Sequence, residues 1–257
     1  MHIDLNADLG HGLGDCSGAA EGLLWPLVSS ALVPCGAHAG DPTSILHACS
    51  EAAARGVAVG AAVGYRDRIG GGLRFVDYDA DDLAAEVIYQ LGGLDGLALS
   101  ENVRVSFVRP AGALFEAART DRNHAWAVVN AVLDYDPTLT IVGSPSSRLL
   151  LTAERHGLAT AAEFLPHRLL SATGALGPVV TDPDVVAQRA LDAAASGAYA
   201  TIRLPGETAV ERSCATAVHQ ALVEAGYQPR ALEADPAPAH ATVREESRAT
   251  DRSRPKA

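Results

Sequence analysis

Short β-rich apolar runs alternate with longer Ala- and Leu-rich stretches from the first residues to about Gly226. The short runs are bounded by turn residues and read as strands, while the longer ones repeat their apolar positions at helical spacing. Seven strands are expected: HIDLNAD ending at Asp8, LVPCGAH at His38, VAVGAA at Ala62, VRVSFV at Val108, LTIVG at Gly143, TAAEF near Phe164 and YATIRL at Leu204. The sharpest helix signal is Asp41-Pro42 before TSILHACSEAAAR and Gly56, which supplies an N-cap, a proline in the first turn and a terminating glycine. Further helices are expected over 79–94, 123–133, 145–156, 183–195 and 209–225. Strand–helix alternation of this kind builds a parallel sheet covered by helices. A length of 257 residues suits one α/β barrel, so a single barrel domain is expected over 1–230. From about Ala231 the chain has repeated Pro and Ala, mixed charge and few large apolar residues, and 231–257 reads as a disordered tail.

Charge and composition narrow the chemistry. Lys+Arg 20 against Asp+Glu 31 gives a net charge of −11, which disfavours nucleic acid and anionic membranes as partners. The only lysine is Lys256, so a Walker A loop, a kinase strand lysine and Schiff-base chemistry are excluded in their usual forms. Cys16, Cys35, Cys49 and Cys214 form no CxxC pair and no zinc spacing. The start MHIDLNADLG is too polar for a secretory signal, and no 18-residue apolar run follows. A cytoplasmic chain with reduced thiols is expected.

In parallel α/β folds the site lies at the carboxyl ends of the strands. There the sequence places Asn6 and Asp8, then His11 within the glycine-rich turn 10–14, His38 with Asp41 behind it, Arg109, Glu163 with His167 and Arg168 beyond, and Glu207. Asp8 and His38 at a barrel mouth suit either a divalent metal or a general acid/base pair. Asp8 and Asp41 equally suit helix caps, and His38 a turn. The glycine runs 10–14 and 70–72 carry no dinucleotide fingerprint.

The strings IDLNADLGHGLG, SSALVPCGAHAGDP, GVAVGAAVGYRDRIGGGLR and VRPAGALF, in this order and at this spacing, resemble the LamB/YcsF family, the A component of the multi-subunit 5-oxoprolinase. The resemblance covers about residues 1–226. It implies a distorted seven-stranded (β/α) barrel of the glycoside hydrolase/deacetylase type. It also implies ATP-dependent opening of the 5-oxoproline lactam, or a related cyclic amide, to glutamate together with B and C partner subunits. The family's DLNCDLGE keeps Asn6 and Asp8 and has His11 in place of its acid, and CGFHAGDP is retained from Cys35 to Pro42. Family histidines are replaced by Ala62 (with Tyr65 further along the same motif), Ala111 and Pro205. The family lysine becomes Arg109, and the Asp of FADR becomes His167 before Arg168. Alanine and proline neither shuttle protons nor ligate metal.

The expected catalytic set is Asp8, His11, His38, Asp41 and Glu163. Asn6, Tyr65, Arg109, Arg168 and Glu207 are expected to bind substrate, the two arginines by holding a carboxylate or phosphate. ATP is the implied cofactor, and a divalent metal, if bound, falls to Asp8 and His38. The alternative expectation is a catalytically weakened paralogue that binds a small carboxylate or serves as a scaffold subunit. Metal-dependent polysaccharide deacetylation is a third reading by analogy of fold alone.

Overall fold

The period-two alternation in IDLNAD decides which side chains face the inside of the molecule. Ile3, Leu5 and Ala7 join the main hydrophobic core, while Asp4 and Asn6 are buried among polar partners on the opposite face. The structure, a computed structural model, describes residues 1–12, 21–171 and 174–232. Its strands are β1 (His2–Asp8), β2 (Ser30–Pro34), β3 (Ala58–Val63), β4 (Val105–Pro110), β5 (Thr140–Gly143), β6 (Thr160–Phe164), β7 (Arg168–Leu170), β8 (Leu176–Val179), β9 (Thr201–Arg203) and β10 (Gln228–Pro229). Its helices are α1 (Pro42–Arg55), α2 (Ala80–Ser100), α3 (Gly112–Thr120), α4 (Arg122–Tyr135), α5 (Arg148–Arg155), α6 (Pro183–Ser196) and α7 (Ala209–Glu224).

Strands β1 to β6 and β9 pair in parallel and close into a seven-stranded barrel, with β9 joining β6 on one side and β1 on the other. The registers Asp4↔Thr201, Asn6↔Arg203 and Glu163↔Thr201 make that closure. One side of the barrel interior is apolar, filled by Leu32, Ala62, Phe107, Val142 and Ala161. The other side is polar and closely connected. Asp4 accepts from Ser29 Oγ and Ser30 Oγ, each at 2.7 Å, and from Thr201 Oγ1 at 2.6 Å. Asn6 Nδ2 donates to Thr201 Oγ1 at 2.6 Å and to Glu163 Oε1 at 3.2 Å.

All seven expected strands form, β1 and β6 with the expected limits and the others with shifted ends. β2 stops at Pro34, so His38 lies in the loop beyond it rather than on the strand. Gly36 and Gly40 there have φ of 83° and 73°, a left-handed backbone that breaks the ladder. Helix α2 runs on past Leu94 to Ser100 because Leu91, Leu94 and Ala98 remain buried; tertiary burial outweighs the low helix propensity of Gly92, Gly93 and Gly96. Helix α3 was not expected: it starts directly after β4 at Ala111, whose side chain makes no cap bond. The antiparallel β7/β8 hairpin was likewise not expected. The expected tail lies outside the described residues from 233 on, as do Cys16 and part of the turn 10–14.

Candidate active site

The carboxyl ends of the strands open onto a cleft with two lobes, of about 420 and 250 Å³. Asp8, His11, His167, Arg168, Arg203 and Glu207 line both lobes. Five of these were expected site or near-site residues, and Arg203 was not. Its guanidinium pairs with the Asp8 carboxylate. The signal for it was the same period-two rule, since Thr201 and Arg203 alternate with the outward, fully buried Ile202.

Arg109 is 2% exposed and lines the larger lobe. It donates to Glu163 Oε2 from Nε at 2.8 Å and from Nη2 at 2.6 Å, and to Pro110 O from Nη1 at 2.9 Å. Its guanidinium sits 4.2 Å from the centre of the Phe115 ring. Glu163 and Asn6 therefore lie beneath the cleft in the barrel interior and reach it only through Arg109.

Three imidazoles stand on the cleft. His38 is 3% exposed and wedged between glycines: a Cβ on Gly64 would come within 2.6 Å of His38 Nδ1, and one on Gly72 within 2.8 Å of His38 Cβ. Buried Gln90 clamps Gly64, accepting from its N–H at 2.9 Å and donating to its carbonyl at 2.8 Å. Burial pushes His38 down to about 4, with His11 and Arg68 acting in the same direction. His167 is likewise pushed to about 4, by burial first and then by Arg168, Arg109 and Arg189. Both rings are neutral at neutral pH. His11 is also lowered by burial, but Glu21 and Glu207 oppose the shift. Glu21 additionally accepts from the backbone N–H groups of Gly10 and His11 at 2.9 and 3.1 Å, so it fixes the loop that carries His11. Nothing in the sequence singled out Glu21, which follows the undescribed segment 13–20.

Two expected residues stand elsewhere. Asp41 is the N-cap of α1: its Oδ1 accepts from Thr43 N at 2.9 Å and Ser44 N at 3.0 Å, and Ser44 Oγ closes a capping box. Asp41 is absent from the walls of both lobes. Tyr65 is 1% exposed, with its ring stacked on Tyr78 and set edge-on to Phe75 and His124; it belongs to an aromatic cluster off the cleft. Ala62, Ala111 and Pro205, where the resemblance placed histidines, do line the cleft.

Among the described residues no group of three or more His, Cys, Asp or Glu side chains is placed to hold a metal ion. With Asp8 bound to Arg203, the Asp8 and His38 pair does not fit a divalent cation. No helix among the described residues is long and apolar enough to cross a membrane.

The model of the LamB/YcsF family matches residues 3–236. A Mycobacterium ulcerans (strain Agy99) protein named as the A component of 5-oxoprolinase is 40% identical over 249 residues, covering 90% of this chain and 99% of that one. The crystal structure of a lactam utilization protein from Thermus thermophilus superposes with a TM-score of 0.84 at 34% identity, covering 90% of this chain and all of that one. A family 4 carbohydrate esterase from Streptomyces lividans, TM-score 0.52 at 11% identity over 92% of this chain and 95% of that one, shares the fold alone.

Proposed function

The chain belongs to the LamB/YcsF family, and from that membership we propose that it opens a small cyclic amide, 5-oxoproline or a close relative, with ATP and in company with B and C partner subunits. The observation that carries the reading is the convergence of His11, His38 and His167 with the Asp8–Arg203 pair on one cleft.

Water adds to the lactam carbonyl carbon and gives its proton to His11. Of the three rings, His11 is the one whose imidazolium nearby carboxylates, Glu21 and Glu207, stabilise, so it is assigned as the base. The C–N bond then breaks, and His11 returns the proton to the leaving nitrogen. His38, held neutral, donates a hydrogen bond to the carbonyl oxygen as it gains charge. Asp8 orients Arg203 in the cleft wall. ATP, when bound, supplies the driving force for opening an unstrained lactam. Among the described residues the cleft offers one guanidinium not already paired with a carboxylate, which is too little for a triphosphate. The phosphates call for groups outside the described residues or on a partner subunit.

The test is glutamate release from 5-oxoproline by the purified chain mixed with B and C subunits from its own source, with and without ATP. The expected result is ATP-dependent release that falls by about 10²-fold or more in His11→Ala. No release, under conditions where a relative with the full histidine set turns over, sinks the assignment. Ala62, Ala111 and Pro205 on the cleft walls favour a second reading, a subunit that binds a small carboxylate without turnover. Binding of 5-oxoproline without release would select it.

A further inference from the structure

Three guanidinium groups line the larger lobe of the cleft, and two are already neutralised, Arg109 by Glu163 and Arg203 by Asp8. The third is Arg168. Among the described residues no carboxylate pairs with it, and none supplies a hydrogen-bond partner to its buried Nε. Beside it, His167 Nδ1 is also buried and unmatched among the described residues. Folded proteins leave few buried polar atoms in that state.

The backbone beneath these two side chains is held at four points. Arg189, reaching over from α6, donates Nε to Pro166 O and Nη2 to Arg168 O, both at 2.8 Å. Val180 N donates to His167 O at 2.8 Å, and Arg168 N to Leu165 O at 3.1 Å. Residues 166–168 thus form a pinned main chain presenting an untied guanidinium and imidazole to both lobes, the arrangement expected where a site is organised before its ligand arrives.

The charge of the cleft sets the ligand. Glu21, Glu207 and Glu211 line the smaller lobe, so polyanions are disfavoured there, whereas a single planar anion matches the guanidinium fork. We infer that Arg168 and His167 form a carboxylate subsite, which takes small ring compounds bearing one carboxylate and turns the rest of the ring toward His11 and the Asp8–Arg203 pair. The identity of that ring as a lactam rests on the function proposed above; the subsite does not.

Calorimetric titration of the full-length chain with three probes separates the two ideas: 5-oxoproline, cyclopentanecarboxylate (carboxylate without lactam) and 2-pyrrolidinone (lactam without carboxylate). The expected result is that both carboxylates bind, that Arg168→Gln weakens both at least tenfold, that Arg168→Lys recovers part of the loss, and that any binding of 2-pyrrolidinone is unchanged. Circular dichroism and the melting temperature check that the variants are folded. The subsite is overturned if neither carboxylate binds the wild-type chain, or if folded Arg168→Gln binds them within twofold of wild type. Arg168-dependent binding of cyclopentanecarboxylate without binding or turnover of 5-oxoproline keeps the subsite and removes the lactam reading. Turnover of 5-oxoproline that is indifferent to Arg168→Gln does the reverse.

Discussion

Arg109 and Glu163 form an ion pair with side-chain exposures of 3% and 0%, whereas Asp8 and Arg203 retain 21% and 18%. Removing one member of a fully buried pair leaves a stranded charge, at a cost of about 3–5 kcal/mol. Glu163→Gln is therefore expected to lower unfolding stability in urea by that amount, and Asp8→Asn by clearly less, because both of its groups still reach cleft water. Replacing both Arg109 and Glu163 with apolar residues of similar size should recover most of the loss; a double variant as unstable as Glu163→Gln would show that the charge is not the cause. Gly64 makes a second residue-level case. Its added methyl would meet His38 Nδ1, so Gly64→Ala is expected to cost about 1–3 kcal/mol and to shift the His38 ring resonances in an NMR spectrum.

Asp41 shows what an element asks of a residue. With its Oδ1 on two backbone N–H groups of α1, Asp41→Ala is expected to cost about 1 kcal/mol of stability while ligand affinity in the cleft stays within twofold of wild type. A loss of affinity without a loss of stability would return Asp41 to the site. Both roles were open in the sequence, because Asp-Pro before a helix is a cap signal and the surrounding CGAHAGDP is a family motif. The seven strands were legible because each combines β-branched or apolar residues with a turn at its end, and β1 and β6 have the expected limits. Helix α3 was not legible, since it lacks a side-chain cap and spans only nine residues. The hairpin was hidden because its strands are short and mostly exposed. Within the site, strand-end residues such as Asp8 and Arg109 could be placed from pattern. Glu21 and Gln90 could not, since each acts by bonding a backbone distant in sequence or on another element.

At the scale of the whole molecule, buried titratable groups set how stability varies with pH. His38 and His167 have folded values near 4, below the ordinary value of about 6.5. Between these limits the unfolded chain binds more protons, so stability is full above about pH 6.5 and falls as pH drops toward 4. Asp4 works the other way, since burial raises it despite its three hydroxyl donors; its contribution is present at low pH and is lost as pH rises. With His11 lowered as well and Asp4 opposing, a net decline on acidification is expected, carried mainly by His38 and His167. Replacing both histidines with glutamine should flatten it in urea titrations at stepped pH, and an unchanged slope would contradict the assignment. The closure of the barrel carries a further consequence, one of timing. Thr201 donates to Asp4 across a separation of 197 residues, and β1 gains its β9 neighbour only when that later strand has emerged from the ribosome. At about 5–20 residues per second the wait is roughly 10–40 s. During that interval the nascent chain holds an unpaired strand edge on which Asp4 and Asn6 still lack their Thr201 partner. Holding factors that recognise such edges are the helpers this topology calls for, and codon changes that slow the final third of synthesis should lower soluble yield without altering the finished protein.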